Sequence, residues 1–208
     1  MPEPIEFYFD LLSPFAYLGS TQIGRIADTR GREVDWRPVL IGVTVLKVMG
    51  LRPIPETPLK GPYSHRDALR LAAWFDVPFR FHTLTGVTSL AGSRAFLWIK
   101  ARDPALAVRF ARRMFERLWV RGEDITPPEA AADEAASLGL DRAELLAALG
   151  REESKQALKA AVDEAIARGV FGVPFVIADG EPFWGCDHLP MLEHWLTHHA
   201  WTPPATGR

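Results

Sequence analysis

"FYFDLLSPFAYLGS", Phe7 to Ser20, is the stretch on which the fold turns. It completes the apolar, β-favouring run Ile5–Phe9, which predicts a strand. Asp10 to Ser13 then reads as a turn. Pro14 suits a first helical position, where its missing N–H costs nothing, and Ser13 before it is a good N-cap. Tyr17, Leu18, Ile23 and Ile26 follow at roughly helical spacing, so a helix is expected to about Thr29, with Gly31 as its stop. Val34–Leu40, "VDWRPVL", predicts a second strand, and Pro38 marks it as an edge or a bulge. Strand, long helix, strand is the βαβ unit of a parallel sheet. A hydroxyl at the mouth of that helix has two readings. It caps the helix, or it holds a reactive anion.

Composition narrows the choice. The chain has 208 residues, 48% hydrophobic and 24% charged, the balance of a soluble globular protein with room for a sizeable core. A net charge of −2, with Lys and Arg scattered among acids, gives no field for nucleic acid. Cys186 is the single cysteine, so no intramolecular disulfide and no cysteine metal cluster is expected. The start, "MPEPIEFYFD", has neither the basic nor the apolar region of a secretory signal. "VLIGVTVL" from Val39 is far short of the roughly 20 residues that span a bilayer, so no membrane role is expected and the cytoplasm is the default location.

The Pro-rich run "GLRPIPETPLKGPY" separates the opening unit from a middle that is nearly all helix-forming. Ser64 is expected to cap a helix to Phe75, Ser93 one to Arg102, and Ala105–Val120 forms another. "TPPE" at Thr126 and "DRAE" at Asp141 read as capping boxes, and Glu152–Arg168 is a last long helix. Trp74, Phe75, Phe79, Phe81 and Trp98 are expected mostly in the core. After Gly169 the pattern returns to strand: Phe175–Ala178, an Asp179-Gly180 hairpin turn, then Pro182–Trp184. Asp187 can cap a final helix from Leu189 to about His198. His194 and His198, four apart, can face together, but no third ligand is visible and no metal site is assigned.

This layout resembles the thioredoxin-like superfamily, and within it the branch of 2-hydroxychromene-2-carboxylate isomerases and kappa-class glutathione transferases. The resemblance spans nearly the whole chain. It rests on "FDLLSPFAYL" at Phe9, "MGLRPIPETPLKGPY" at Met49, "GVFGVPF" at Gly169 and "FWGCDHLPMLEHWL" at Phe183, in that order. It implies an α/β, thioredoxin-like fold (βαβ…ββα) with a large all-helical insertion. Residues 1–61 and 169–201 would form the thioredoxin-like domain, 62–168 the insertion, and 202–208 a frayed tail.

The resemblance also assigns roles. Redox members of the superfamily open the first helix with Cys-x-x-Cys; here Ser13, Pro14, Phe15 and Ala16 stand there, so dithiol exchange is excluded at this site. In the glutathione branch a serine in the first place bonds the glutathione sulfur, and Ser13 matches it as the catalytic residue. A free thiol has a pKa near about 8.5, and lowering it by about two units needs about 2.7 kcal/mol of preference for the anion. A helix N-terminus with one added hydroxyl donor is a source of that order. Val173 and Pro174 match a cis pair whose backbone meets an extended peptide such as glutathione. Trp184, Gly185, Cys186 and Asp187 match the end that binds the γ-glutamyl group, with Cys186 where serine is usual. A lowered Cys186 pKa at a helix end, and a mixed disulfide with glutathione, are weaker readings. Lys60 matches the partner of the glycyl carboxylate. Phe15, Tyr17 and Leu51 are assigned to the substrate pocket. Leu51 departs from the family, which has an amide-bearing Asn there.

The implied activity is a glutathione-dependent isomerisation. The thiolate adds to the hydroxychromene, the ring opens, a bond rotates, and the thiolate leaves to give trans-o-hydroxybenzylidenepyruvate. Glutathione is the co-substrate, an aromatic small molecule the substrate, and a homodimer the expected assembly. A kappa-type transferase that keeps the conjugate is the first alternative. A non-catalytic glutathione- or peptide-binding module is the second.

Overall fold

In a computed structural model that describes residues 3–82 and 84–201, the apolar run becomes strand β1, Ile5–Phe9. It is central because it is buried on both faces: Ile5, Phe7, Tyr8 and Phe9 are all inaccessible, as their near-continuous apolar character requires. The strand β2, Val34–Pro38, pairs parallel to it, from Ile5 opposite Val34 to Phe9 opposite Pro38. A parallel pair needs a crossover, and helix α1, Pro14–Asp28, supplies it. Strand β3, Phe175–Ala178, runs antiparallel to β1 on its other side, and β4, Glu181–Trp184, closes a four-stranded sheet of order β2-β1-β3-β4. Pro38 therefore ends an edge strand, where a missing N–H is harmless. Asp179 and Gly180 turn the hairpin with positive φ, 54° and 82°. The chain thus has the expected thioredoxin-like fold with helices inserted between β2 and β3. The expected tail at 202–208 lies outside the described residues.

Those helices are α2 (Lys60–Trp74), α3 (Leu90–Lys100), α4 (Pro104–Glu116), α5 (Pro128–Ala136), α6 (Arg142–Leu149) and α7 (Glu152–Ala167); α8 (Leu189–His198) follows the hairpin. Several starts differ from expectation. The helix α2 begins at Lys60 and not at Ser64, inside the Pro-rich run. Pro62 falls in its first turn, where no N–H is needed, and Ser64 bonds back to the Gly61 carbonyl. Ser93 lies within α3 and is fully buried; Ser89 precedes the helix instead. The Thr126 capping box does not form, because the Thr126 hydroxyl accepts from Thr88 N–H. Asp141 does cap α6, accepting from Glu144 N–H at 2.7 Å. Trp74 is 81% exposed, not core. "VLIGVTVL" yields wide π-type turns over Gly42–Val48.

The insertion is fastened to the sheet in two places. Arg37 on β2 pairs with Glu164 on α7, and Lys100 on α3 donates to the Trp36 carbonyl. Phe9 meets Phe96 of α3 and Phe115 of α4 with ring centroids 5.1 and 5.8 Å away. The second fastening reaches the turn before α1. Trp119, fully buried in the wide turns Arg117–Arg121 that extend α4, donates its indole N–H to the Leu11 carbonyl at 2.9 Å. Tyr17 of α1 donates its hydroxyl to the Pro78 carbonyl at 2.7 Å. Trp119→Phe is expected to leave the Leu11 carbonyl unpaired and a small void, lowering unfolding free energy by about 1–3 kcal/mol with the denaturant slope unchanged. Chemical denaturation followed by near-ultraviolet dichroism measures it.

Candidate functional site

The sheet ends at the mouth of α1. Ser13 has extended backbone (φ −93°, ψ 116°), which brings its hydroxyl oxygen over the first turn to accept from Ala16 N–H at 3.1 Å. The cap reading is therefore realised. The same hydroxyl donates to the Val173 carbonyl at 3.3 Å, so one oxygen joins the helix mouth to the loop before β3. Val173–Pro174 is cis. Among the described residues Val173 N–H donates to no other group. The approach of α1 to this loop depends on Gly19: a Cβ there would lie 3.2 Å from Pro174 Cγ and 3.5 Å from Cys186 Cβ.

The third piece is joined to the second by backbone. Gly185 N–H donates to the Pro174 carbonyl at 2.9 Å. Gly185 has φ 99°, and a Cβ on it would fall 2.2 Å from Asp187 Oδ1, so only glycine serves there. Ser13, Val173, Pro174, Gly185 and Cys186 are thus one connected cluster, drawn from three distant stretches. Asp187 does not cap α8; it lies in a short 3₁₀ turn, Cys186–His188, ahead of that helix, without a capping bond. Its carboxylate is largely exposed, with His188 Nδ1 3.6 Å away.

Cys186 is corrected by burial. Its thiol is inaccessible, and its pKa is pushed up to about 12 by desolvation first and by the Asp187 charge second. The helix-end effect expected to lower it is overridden, and neither a nucleophile nor a mixed disulfide is compatible with that position. Tyr17 is also corrected. It is buried with its hydroxyl committed to Pro78, its pKa pushed up to about 12 by desolvation, and its ring between Phe79 and Phe115. It fastens α1 to the insertion and offers no accessible pocket wall. Phe15 beside it is half-buried against the core.

Lys60 and Leu51 lie on the Pro-rich segment, which among the described residues bonds to no member of the Ser13 cluster. Lys60 opens α2; its ammonium is exposed and pairs with no carboxylate among the described residues. Leu51 is 56% exposed, in a run of exposed apolar side chains that includes Leu46, Val48, Met49, Ile54 and Leu59. Gly61 locks the loop onto α2, since a Cβ there would stand 2.4 Å from the Pro55 carbonyl oxygen. Trp184 is half-exposed at the end of β4. Its ring centroid is 5.0 Å from that of Phe171, an exposed aromatic just before the cis bond that sequence reasoning passed over. Asp10 was also passed over as a turn residue, and it is buried. The only signal available for either was its position inside a matched motif, Phe171 in "GVFGVPF" and Asp10 in "FDLLSPFAYL".

The family described as DSBA-like thioredoxin domain matches residues 4–197, and the chain belongs to it. Human glutathione S-transferase kappa 1 is 29% identical over 98% of this chain and 95% of its own. The 2-hydroxychromene-2-carboxylate isomerase of Sphingobium xenophagum is 29% identical over 94% of this chain and 99% of its own. A solved structure of a 2-hydroxychromene-2-carboxylate isomerase superposes with a TM-score of 0.85 at 25% identity, covering 94% of this chain and 95% of that one.

The raised Cys186 pKa has a direct consequence. In the folded protein at pH 8, alkylation of Cys186 by iodoacetamide is expected to be at least about a hundredfold slower than in the urea-unfolded chain, because only the thiolate reacts. Mass spectrometry of timed aliquots measures it.

Proposed function

We propose that the chain is a glutathione-dependent enzyme that holds the glutathione sulfur as a thiolate at Ser13, and that its reaction is an isomerisation of the 2-hydroxychromene-2-carboxylate type. One observation carries the reading: the Ser13 hydroxyl caps α1 with its oxygen while its proton reaches a neutral carbonyl at only 3.3 Å. Good O–H···O bonds end near about 3.0 Å, so that proton is weakly held. A sulfur anion at the helix mouth offers a charged acceptor, and charge-assisted bonds are about twice as strong as neutral ones. Ser13 can turn its proton onto the sulfur and keep its bond to Ala16. The N–H groups of the first turn of α1 add their field in the same direction.

The remaining groups fit the peptide. Val173 N–H and C=O suit the cysteinyl backbone, the exposed Asp187 carboxylate suits the γ-glutamyl amine, and the exposed Lys60 ammonium suits the glycyl carboxylate. The half-exposed Trp184 borders this end. Phe15 and Leu51 are read as bordering an aromatic substrate. We also read the protein as a cytoplasmic homodimer serving aromatic catabolism; no described helix is long and apolar enough to cross a membrane.

Leu51 favours a second reading. An apolar, exposed side chain gives no amide to orient a carboxylate-bearing chromene, but it suits an apolar electrophile. The enzyme would then be a kappa-type transferase that retains the conjugate.

Ultraviolet absorbance of the thiolate, followed against pH in the wild-type complex and in Ser13→Ala, tests the assignment. The wild type is expected to bind glutathione with a thiol pKa at least about one unit below 8.5, and Ser13→Ala to return it towards that value with a smaller loss of affinity. An unmoved pKa in Ser13→Ala removes Ser13 from the mechanism, and no binding by the wild type removes glutathione altogether. A lowered pKa with neither chromene carboxylates nor electrophiles turned over would mark a binding module. For an active enzyme, glutathione conserved over many turnovers identifies the isomerase, and one consumed per turnover the transferase.

A further inference from the structure

Asp10 ends β1, is 1% exposed, and has no place in the chemistry above. Its oxygens face donors from separate parts of the chain. Oδ1 accepts from Leu12 N–H at 3.0 Å, within the turn that presents Ser13. Oδ2 accepts from Ile41 N–H at 2.9 Å, where the segment carrying Leu51 and Lys60 begins. The Ser89 hydroxyl, buried ahead of α3 in the insertion, also acts on this carboxyl and favours its charged form. The Asp10 carbonyl meanwhile accepts from Ser13 N–H itself at 3.0 Å. No cation pairs with the carboxylate among the described residues.

The two backbone partners are obligate donors, one on each oxygen, and the Ser89 hydroxyl can donate or accept. A carboxyl offers an acceptor to both N–H groups; an amide places an NH₂ against one of them. Burial raises the Asp10 pKa and the hydrogen bonds oppose that rise, so the carboxyl is kept in this place at a cost to stability. A buried carboxyl without a cation, next to a site, is a feature that stability does not select.

We infer that Asp10 is a positioning residue: its carboxylate sets the Ser13 turn in register with the 41–60 segment, so that the hydroxyl and the opposite wall of the glutathione site meet the ligand together. The inference rests on the glutathione reading above. The Ile41 bond is the observation that separates it from an ordinary turn. A turn needs only the local bond to Leu12, whereas Ile41 is 31 positions away and leads into the residues assigned to the other end of glutathione.

The test uses glutathione and the full chain, with Asp10→Asn beside the wild type, reading both dissociation constant and bound-thiol pKa. Asp10→Asn is expected to bind roughly tenfold more weakly and to show a bound-thiol pKa moved back towards about 8.5, because Ser13 no longer meets the sulfur. Ser89→Ala, which removes that hydroxyl and leaves both backbone bonds, is expected to move the pKa in the same direction by less. It serves as the sole variant if Asp10→Asn does not fold. A lower melting temperature with the bound-thiol pKa unmoved overturns the inference and leaves Asp10 a structural residue. If the wild type itself does not bind glutathione, the reading it rests on fails, and the inference with it. The first arm alone distinguishes these cases.

Discussion

The contact between the mouth of α1 and the loop before β3 is the constraint around which the molecule is arranged. It is a single hydroxyl, Ser13, bonded to Ala16 on its own helix and to Val173 on a segment 160 positions away. Everything near it keeps those two pieces apart by a fixed, small distance. Gly19 removes the Cβ that would press on Pro174, and the Pro174 carbonyl is pinned by Gly185. A contact so constrained is rigid, and rigidity makes the helix field useful, since donors that need no reorganisation favour an anion most.

The inserted helices brace that contact as well as covering the sheet. Leu11, next to the Ser13 turn, gives its carbonyl to Trp119, and Tyr17, one turn into α1, gives its hydroxyl to Pro78. Both bonds join the insertion to the segment that presents Ser13, one donated from each side. The turn has little freedom left: its carbonyl at Leu11, its amides at Leu12 and Ser13 and its Asp10 side chain are all engaged. Farther out, Glu134 is buried among Arg113, Arg117 and Arg121, a cluster that ties α4 to α5 and has no part in the site.

The fold was largely legible in the sequence. Apolar runs, a Ser-Pro helix start and an Asp-Gly turn are local signals, and each of those elements formed where its residues indicated. Helix starts in the middle were less legible because capping is decided by competition. Thr126 carries a capping pattern, yet its hydroxyl is taken by Thr88 from another segment, and Ser64 and Ser93 were overtaken by helices that begin earlier. The grouping was legible where backbone dominates: Ser13, Val173, Pro174 and Gly185, singled out from separate motifs, are joined by hydrogen bonds. It was misread where burial dominates. Cys186 and Tyr17 carry reactive groups, and only packing reveals that both point into the core. Asp10 is the converse: an ordinary turn residue by sequence, a buried carboxylate with long-range partners in three dimensions.

A crystal structure of the protein with glutathione tests the central claim most directly. The account predicts the glutathione sulfur within hydrogen-bonding distance of Ser13 Oγ, the Ser13 bond to Ala16 N–H intact, and the cysteinyl backbone paired with Val173. A sulfur lying elsewhere, with the Ser13 hydroxyl still on the Val173 carbonyl, would contradict it.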